Sequence, residues 1–75
     1  APGYSIIEVA AHGEYTGRSL KDLDLRARYG VSIMAIKRGN QVIVAPGAND
    51  YIESGDTLIA IGKDEMLEFL EKAET

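Results

Sequence analysis

The sequence predicts an α+β domain, a small mixed, mostly antiparallel sheet with two helices in the order β-α-β-β-β-α. Three observations carry that expectation. Apolar, β-branched runs recur at residues 5–11 (SIIEVAA), 31–37 (VSIMAIK), 41–45 (QVIVA) and 57–61 (TLIAI). Gly39-Asn40 joins the second run to the third, and both residues tolerate the positive φ that a tight hairpin needs. Helical signals occur at only two places, and adjacent strands with segregated helices are the mark of the α+β class.

The elements follow in order. Residues 5–11 read as a strand, with Glu8 in its middle expected at an edge or facing outward, as carboxylates usually are. His12-Gly13-Glu14 reads as a turn that residues 15–18 continue. Ser19 reads as a helix N-cap with Asp22 three residues on, a weaker form of the capping box. Asp24 can cap a second short turn running to Tyr29, and Gly30 stops it, because glycine enters the left-handed region without a Cβ clash. The expectation here is a short, stepped helix.

Val31, Ile33, Ala35 and Lys37 alternate with Ser32, Met34, Ile36 and Arg38, and both sets are largely apolar, as in a central strand. Pro46-Gly47 ends the return strand, and Tyr51-Ile52 is a candidate for one more, two-residue strand. Residues 53–56 form a turn, and Gly62 is expected to break the last strand ahead of a helix over 63–73. That helix places Met66, Phe69, Leu70 and Ala73 on one apolar stripe, with Glu65, Glu68 and Glu71 opposite. At this spacing Met66 and Phe69 are core residues rather than cofactor contacts.

With 75 residues the chain has room for one domain, taken as 1–75 with residues 1–3 outside its ordered part. So small a chain buries only about 60% of its unfolded surface. Disulfides, metals or partners usually support such cores. Without cysteine there is no disulfide and no thiolate metal site, and one histidine makes a transition-metal site a poor fit. Self-association is the support that remains. No apolar stretch approaches the ~20 residues of a membrane span, and Ala1-Pro2-Gly3 lacks the basic and apolar regions of a signal peptide.

The net charge of −4 is unevenly spread. Six of the eight Lys and Arg residues lie between Arg18 and Arg38, opposed there only by Asp22 and Asp24. An acidic domain repels a nucleic-acid polymer at long range, and a local basic window suits a small anion better. The competing explanation is a solvated helix face, since Asp22–Arg26 and Asp24–Arg28 are spaced i, i+4. Catalysis finds little support. His12 is the sole imidazole, both common phosphate-loop fingerprints are absent, and no carboxylate pair is placed for acid–base work. No cofactor, metal or catalytic residue is expected, and the chain is not expected to be an enzyme.

Four phrases in order carry a further signal: residues 17–31 (GRSLKDLDLRARYGV), 33–39 (IMAIKRG), Ala45-Pro46, and 52–62 (IESGDTLIAIG). Together they resemble the TrkA-C domain, also called the RCK C-terminal domain, over residues 4–70. The resemblance implies a homodimeric regulatory domain of a potassium or other cation transport system. It would sit on the cytoplasmic side of the membrane through a transporter or channel partner, without inserting itself. One branch of that family binds cyclic di-AMP at the dimer interface. By position, that branch's phosphate-contacting Arg corresponds to Arg26, its residues after the helix-ending glycine to Ser32 and Ile33, and its post-hairpin proline to Pro46. Ser32 stands where the binding branch typically has Asn, and keeps a donor and an acceptor at shorter reach. The alternative that the resemblance leaves open is a dimerisation and coupling module with no small ligand.

Overall fold

The computed structural model describes residues 2–11 and 13–72. His12 in its turn, and Ala73 on the last helix, lie outside the described residues. Six strands form: β1 (Tyr4–Ala10), β2 (Arg18–Ser19), β3 (Ser32–Arg38), β4 (Gln41–Val44), β5 (Tyr51–Ile52) and β6 (Thr57–Lys63). Three α-helical segments accompany them, α1 (Leu20–Leu23), α2 (Leu25–Tyr29) and α3 (Asp64–Lys72), with one 3-10 turn over Gly13–Tyr15. The main sheet has the order β1-β6-β3-β4, β2 and β5 form a separate two-stranded ribbon, and all pairings are antiparallel.

The first helix is stepped at Asp24, which adopts a left-handed conformation with φ 49° and ψ 45°. The step has a packing reason. Leu23 and Leu25 are both buried, at 0% and 4% exposure, although residues two apart point to opposite sides of a continuous helix. Ser19 caps α1 by accepting from the Asp22 N–H at 3.1 Å. Gly30, at φ 66°, ends α2 and donates its N–H to the Arg26 carbonyl at 2.9 Å.

Strict alternation fails in β3. A bulge between Ile33 and Ala35 leaves Met34 out of the ladder with β6. As a result Ile33 pairs with Ala60 on one face and Ala35 with Ile59 on the other, although residues two apart in a regular strand share a face. Gly62 does not break the last strand, which continues through it to Lys63. The ladder with β1 carries it, Ser5 pairing with Gly62 and Tyr4 with Lys63. The missing side chain leaves room for a close approach, since a Cβ there would lie 3.1 Å from Val31 Cγ2 and 3.3 Å from the Gly30 carbonyl. Since β6 runs directly into α3, the strand sets the rotation of the helix. Leu67 and Leu70 point into the core, Met66 packs beside them, and Phe69 is 55% exposed instead of lying on the core stripe. The Phe69 ring rests against Tyr29 at 5.5 Å.

The core lies on one face of the sheet, where Ile36, Leu58 and Ala60 meet Leu23, Ile52, Leu67 and Leu70. On the opposite face, cross-strand register brings Ile6, Ile61, Ile59, Ala35, Val44 and Val42 side by side. Glu8 faces outward on this side, and its carboxylate lies 3.6 Å from the Lys37 ammonium. Ile6, Met34, Val42 and Val44 are exposed there. Among the described residues, no helix is long and apolar enough to cross a membrane.

Candidate functional site

An open groove of about 410 Å³ lies between the stepped helix, the start of β3 and the loop that follows β4. Arg26 from α2, Ser32 and Ile33 from β3, and Pro46 from the loop all line it. These four positions come from three segments, and the fold brings them to one surface. Lys21, Asp24 and Ala45 also line the groove. Asp24 was read from the sequence only as a cap and a charge partner, and Lys21 and Ala45 were not singled out, because neither a lysine nor an alanine carries a spacing signal of its own.

The walls are held by backbone contacts. The Lys21 N–H donates to the Ala48 carbonyl and the Leu20 N–H to the Asp50 carbonyl, each at 2.9 Å. The Asp50 carboxylate accepts from the Gly47 N–H at 2.6 Å, which closes the turn behind Pro46. The ribbon of Arg18–Ser19 with Tyr51–Ile52 ties the same two segments together further along. Ala45 leaves β4 at φ 49°, a conformation costing a non-glycine residue about 1–2 kcal/mol. Its N–H still donates to the Met34 carbonyl at 2.9 Å, so the chain turns Pro46 towards the groove without losing its last ladder bond.

The basic window that the sequence shows as a block is divided by the fold. Lys37 pairs with Glu8, and Arg38 is taken up by Asp56 and Glu53. Arg28 donates to the Leu23 carbonyl and to the Tyr29 hydroxyl, with its guanidinium 5.0 Å from the Tyr29 ring centre. It lines a second hollow, with Tyr4, Tyr29, Lys63 and Met66, that shares no residue with the first. Arg18 donates to the Asp22 carbonyl at 3.3 Å. Neither i, i+4 pair expected on the helix forms an ion pair among the described residues, because the break at Asp24 takes their partners off a common helical face. Of the six cations, Lys21 and Arg26 are the two that line the groove, and neither makes an ion pair among the described residues.

The groove therefore offers two cations, one carboxylate at Asp24, a small hydroxyl at Ser32 and apolar surface from Ile33 and Pro46. A ligand combining anionic groups with a flat apolar body matches that set chemically.

Comparison with known proteins gives a consistent picture. The TrkA-C domain family matches residues 4–73. The chain is 49% identical over 59 residues to the Ktr system potassium uptake protein C of Bacillus subtilis, covering 79% of this chain and 27% of that protein. It thus spans about a quarter of that relative's length. Among solved structures, the RCK C domain of the potassium transport protein KtrA in complex with cyclic diadenosine monophosphate superposes with a TM-score of 0.87. It is 47% identical, and the match covers 93% of this chain and 82% of that one. An RCK C domain dimer of Streptococcus agalactiae BusR, also in complex with c-di-AMP, gives a TM-score of 0.76 at 28% identity, covering 96% and 88%. With its stepped helix, antiparallel sheet and ribbon, and with nearly its whole length matched, the chain belongs to the TrkA-C domain family.

Proposed function

We propose that the chain is a cytoplasmic regulatory domain of a potassium or other cation transport system. In this role it works as a homodimer and senses cyclic di-AMP in the groove around Arg26. The observation that carries the proposal is the convergence of Arg26, Ser32, Ile33 and Pro46 on one groove from separate segments. Two solved relatives described as complexes with this dinucleotide support the same ligand.

Physically, a two-fold ligand suits an isologous interface in which each subunit presents the same patch. Arg26 of each protomer grips one phosphate through charge-assisted hydrogen bonds of about 1.5–3 kcal/mol apiece. Ile33 and Pro46 flank a purine, and Ser32 meets its edge. The exposed sheet face carrying Met34, Val42 and Val44 adjoins the groove through Ser32 and Ala45, and gives a dimer an apolar surface to cover. Regulation then follows from differential affinity. The ligand favours one arrangement of the paired domains and shifts the attached transporter by that difference and no more.

Isothermal titration of the purified protein with cyclic di-AMP tests this, with cyclic di-GMP and ATP as controls. Micromolar or tighter binding at one ligand per two chains is expected. A dimer that takes up none of the three would instead favour a coupling module without a small ligand. The shorter Ser32 side chain at the base position is the observation on that side.

A further inference from the structure

Taking the groove as a cyclic dinucleotide site in a two-fold dimer, we infer that Lys21 and Asp24 set its net charge. Through that charge they select a phosphodiester ligand over one bearing a terminal phosphate monoester. Lys21, Asp24 and Arg26 are the charged residues that line the groove. Among the described residues none of the three side chains is engaged in an ion pair, and the Asp24 side chain makes no cap hydrogen bond. The neighbouring Asp50 carboxylate is already committed to the Gly47 N–H. Two cations and one carboxylate leave one net positive charge per groove, and a two-fold pair of grooves presents two.

A cyclic dinucleotide carries two phosphodiesters of one negative charge each, so the paired grooves match it. Opening one of its diester bonds by hydrolysis leaves a linear dinucleotide with one diester and one terminal monoester. The monoester alone brings about −1.5 to −2 at neutral pH. That excess charge meets no further cation in the groove, and it meets the two Asp24 carboxylates. Both residues are placed by the backbone. Asp24 is locked in its left-handed conformation, with its N–H on the Leu20 carbonyl and its own carbonyl accepting from Arg28. Lys21 is fixed by its N–H on the Ala48 carbonyl. Asp24 is thereby a selectivity residue, and Lys21 is a second phosphate-facing cation beside Arg26.

The test is titration of the parent chain, Asp24→Asn and Lys21→Gln with cyclic di-AMP and with linear 5′-phosphorylated diadenylate, at low and at high salt. Asn tolerates the left-handed region, so Asp24→Asn changes the charge and keeps the step in the helix. The parent is expected to prefer the cyclic ligand. Asp24→Asn narrows that preference by about threefold to tenfold and Lys21→Gln widens it by a similar factor, the scale of one unit charge across a solvated groove. High salt shrinks both shifts. Should Asp24→Asn fail to fold, the widening in Lys21→Gln decides alone. A preference unchanged in the folded variants, with the parent binding cyclic di-AMP, overturns the charge assignment and leaves the ligand standing. Equal binding of both ligands by the parent does the same. A parent that does not bind cyclic di-AMP overturns both.

Discussion

Arg38 closes a two-point fork on Asp56, with Nε donating to Oδ1 at 2.9 Å and Nη2 donating to Oδ2 at 2.8 Å. Asp56 is only 2% exposed and also accepts from the Glu53 N–H at 2.8 Å, while Arg38 reaches on to the Tyr51 carbonyl. The end of the β3–β4 hairpin is thus fastened to the turn that starts β6.

Asp56→Ala is expected to lower unfolding stability by about 2–3 kcal/mol, since it removes charge-assisted bonds to a buried carboxylate. Urea denaturation followed by circular dichroism measures it. The Arg38 guanidinium, chiefly by hydrogen bonding, holds the Asp56 carboxyl below its ordinary value of 3.8, against the opposing effect of burial. A depressed folded-state value gives stability that is present above the unfolded value and is lost as pH falls through the folded one. Acid unfolding below about pH 4 should therefore carry a component that Asp56→Ala removes.

Gly62→Ala is expected to cost about 1–3 kcal/mol, the usual penalty for forcing a methyl into packed surroundings. The contacts it would meet are Val31 and the Gly30 carbonyl. Thermal melts of the variant against the parent decide it, and an unchanged midpoint would show that the Gly30–Val31 segment gives way to the added methyl.

The Tyr15 hydroxyl is buried and finds no hydrogen-bond partner among the described residues. Burial also raises its pKa above the ordinary value. Tyr15→Phe should therefore leave stability unchanged or raise it by up to about 1 kcal/mol, because the desolvated hydroxyl is removed with little loss of packing. A clear loss in a urea titration would show that the hydroxyl has a partner.

Arg26→Ala should weaken cyclic di-AMP binding by at least about tenfold, one charge-assisted bond per protomer being worth roughly that much. It should leave the oligomeric state unchanged. Titration and sedimentation on the same sample check the two halves, and an unaltered titration would remove Arg26 from the site.

Val44→Glu puts a carboxylate on the most exposed apolar residue of the open sheet face, at 75% exposure. If that face is covered by a second copy, sedimentation equilibrium should show a shift towards monomer with the fold intact. A dimer that persists unchanged would move the interface elsewhere.

Much of the fold was legible because the signals for it are local. Ser19 caps, Gly30 terminates and Gly39-Asn40 turns through the conformational preferences of single residues, and each does so in the structure. The stepped helix was legible from Asp24 read as a cap, yet the Asp24 side chain makes no cap hydrogen bond. The step rests instead on its left-handed backbone, which Asp accepts more readily than most residues. The family resemblance also pointed to Arg26, Ser32, Ile33 and Pro46 before any geometry was known. What local signals do not contain is a distance between segments. The partner of Tyr51-Ile52 is Arg18–Ser19, more than thirty residues earlier, and nothing in either dipeptide names the other.

The amino-acid sequence by itself determined most of the order of elements, many of their turns and stops, and the family, but not the short strand at Arg18–Ser19. Only the tertiary structure decided which cations reach the groove, because Lys37 and Arg38 are drawn to carboxylates on other strands while Lys21 and Arg26 are not. It alone set the rotation of α3, where the junction with β6 puts Leu67 inside and Phe69 outside. It alone placed the bulge at Met34 and brought Val31 and the Gly30 carbonyl close against Gly62. The physical reason is common to all of these. Capping and turn preferences act within a few residues, whereas packing and charge pairing depend on neighbours that only the folded chain supplies.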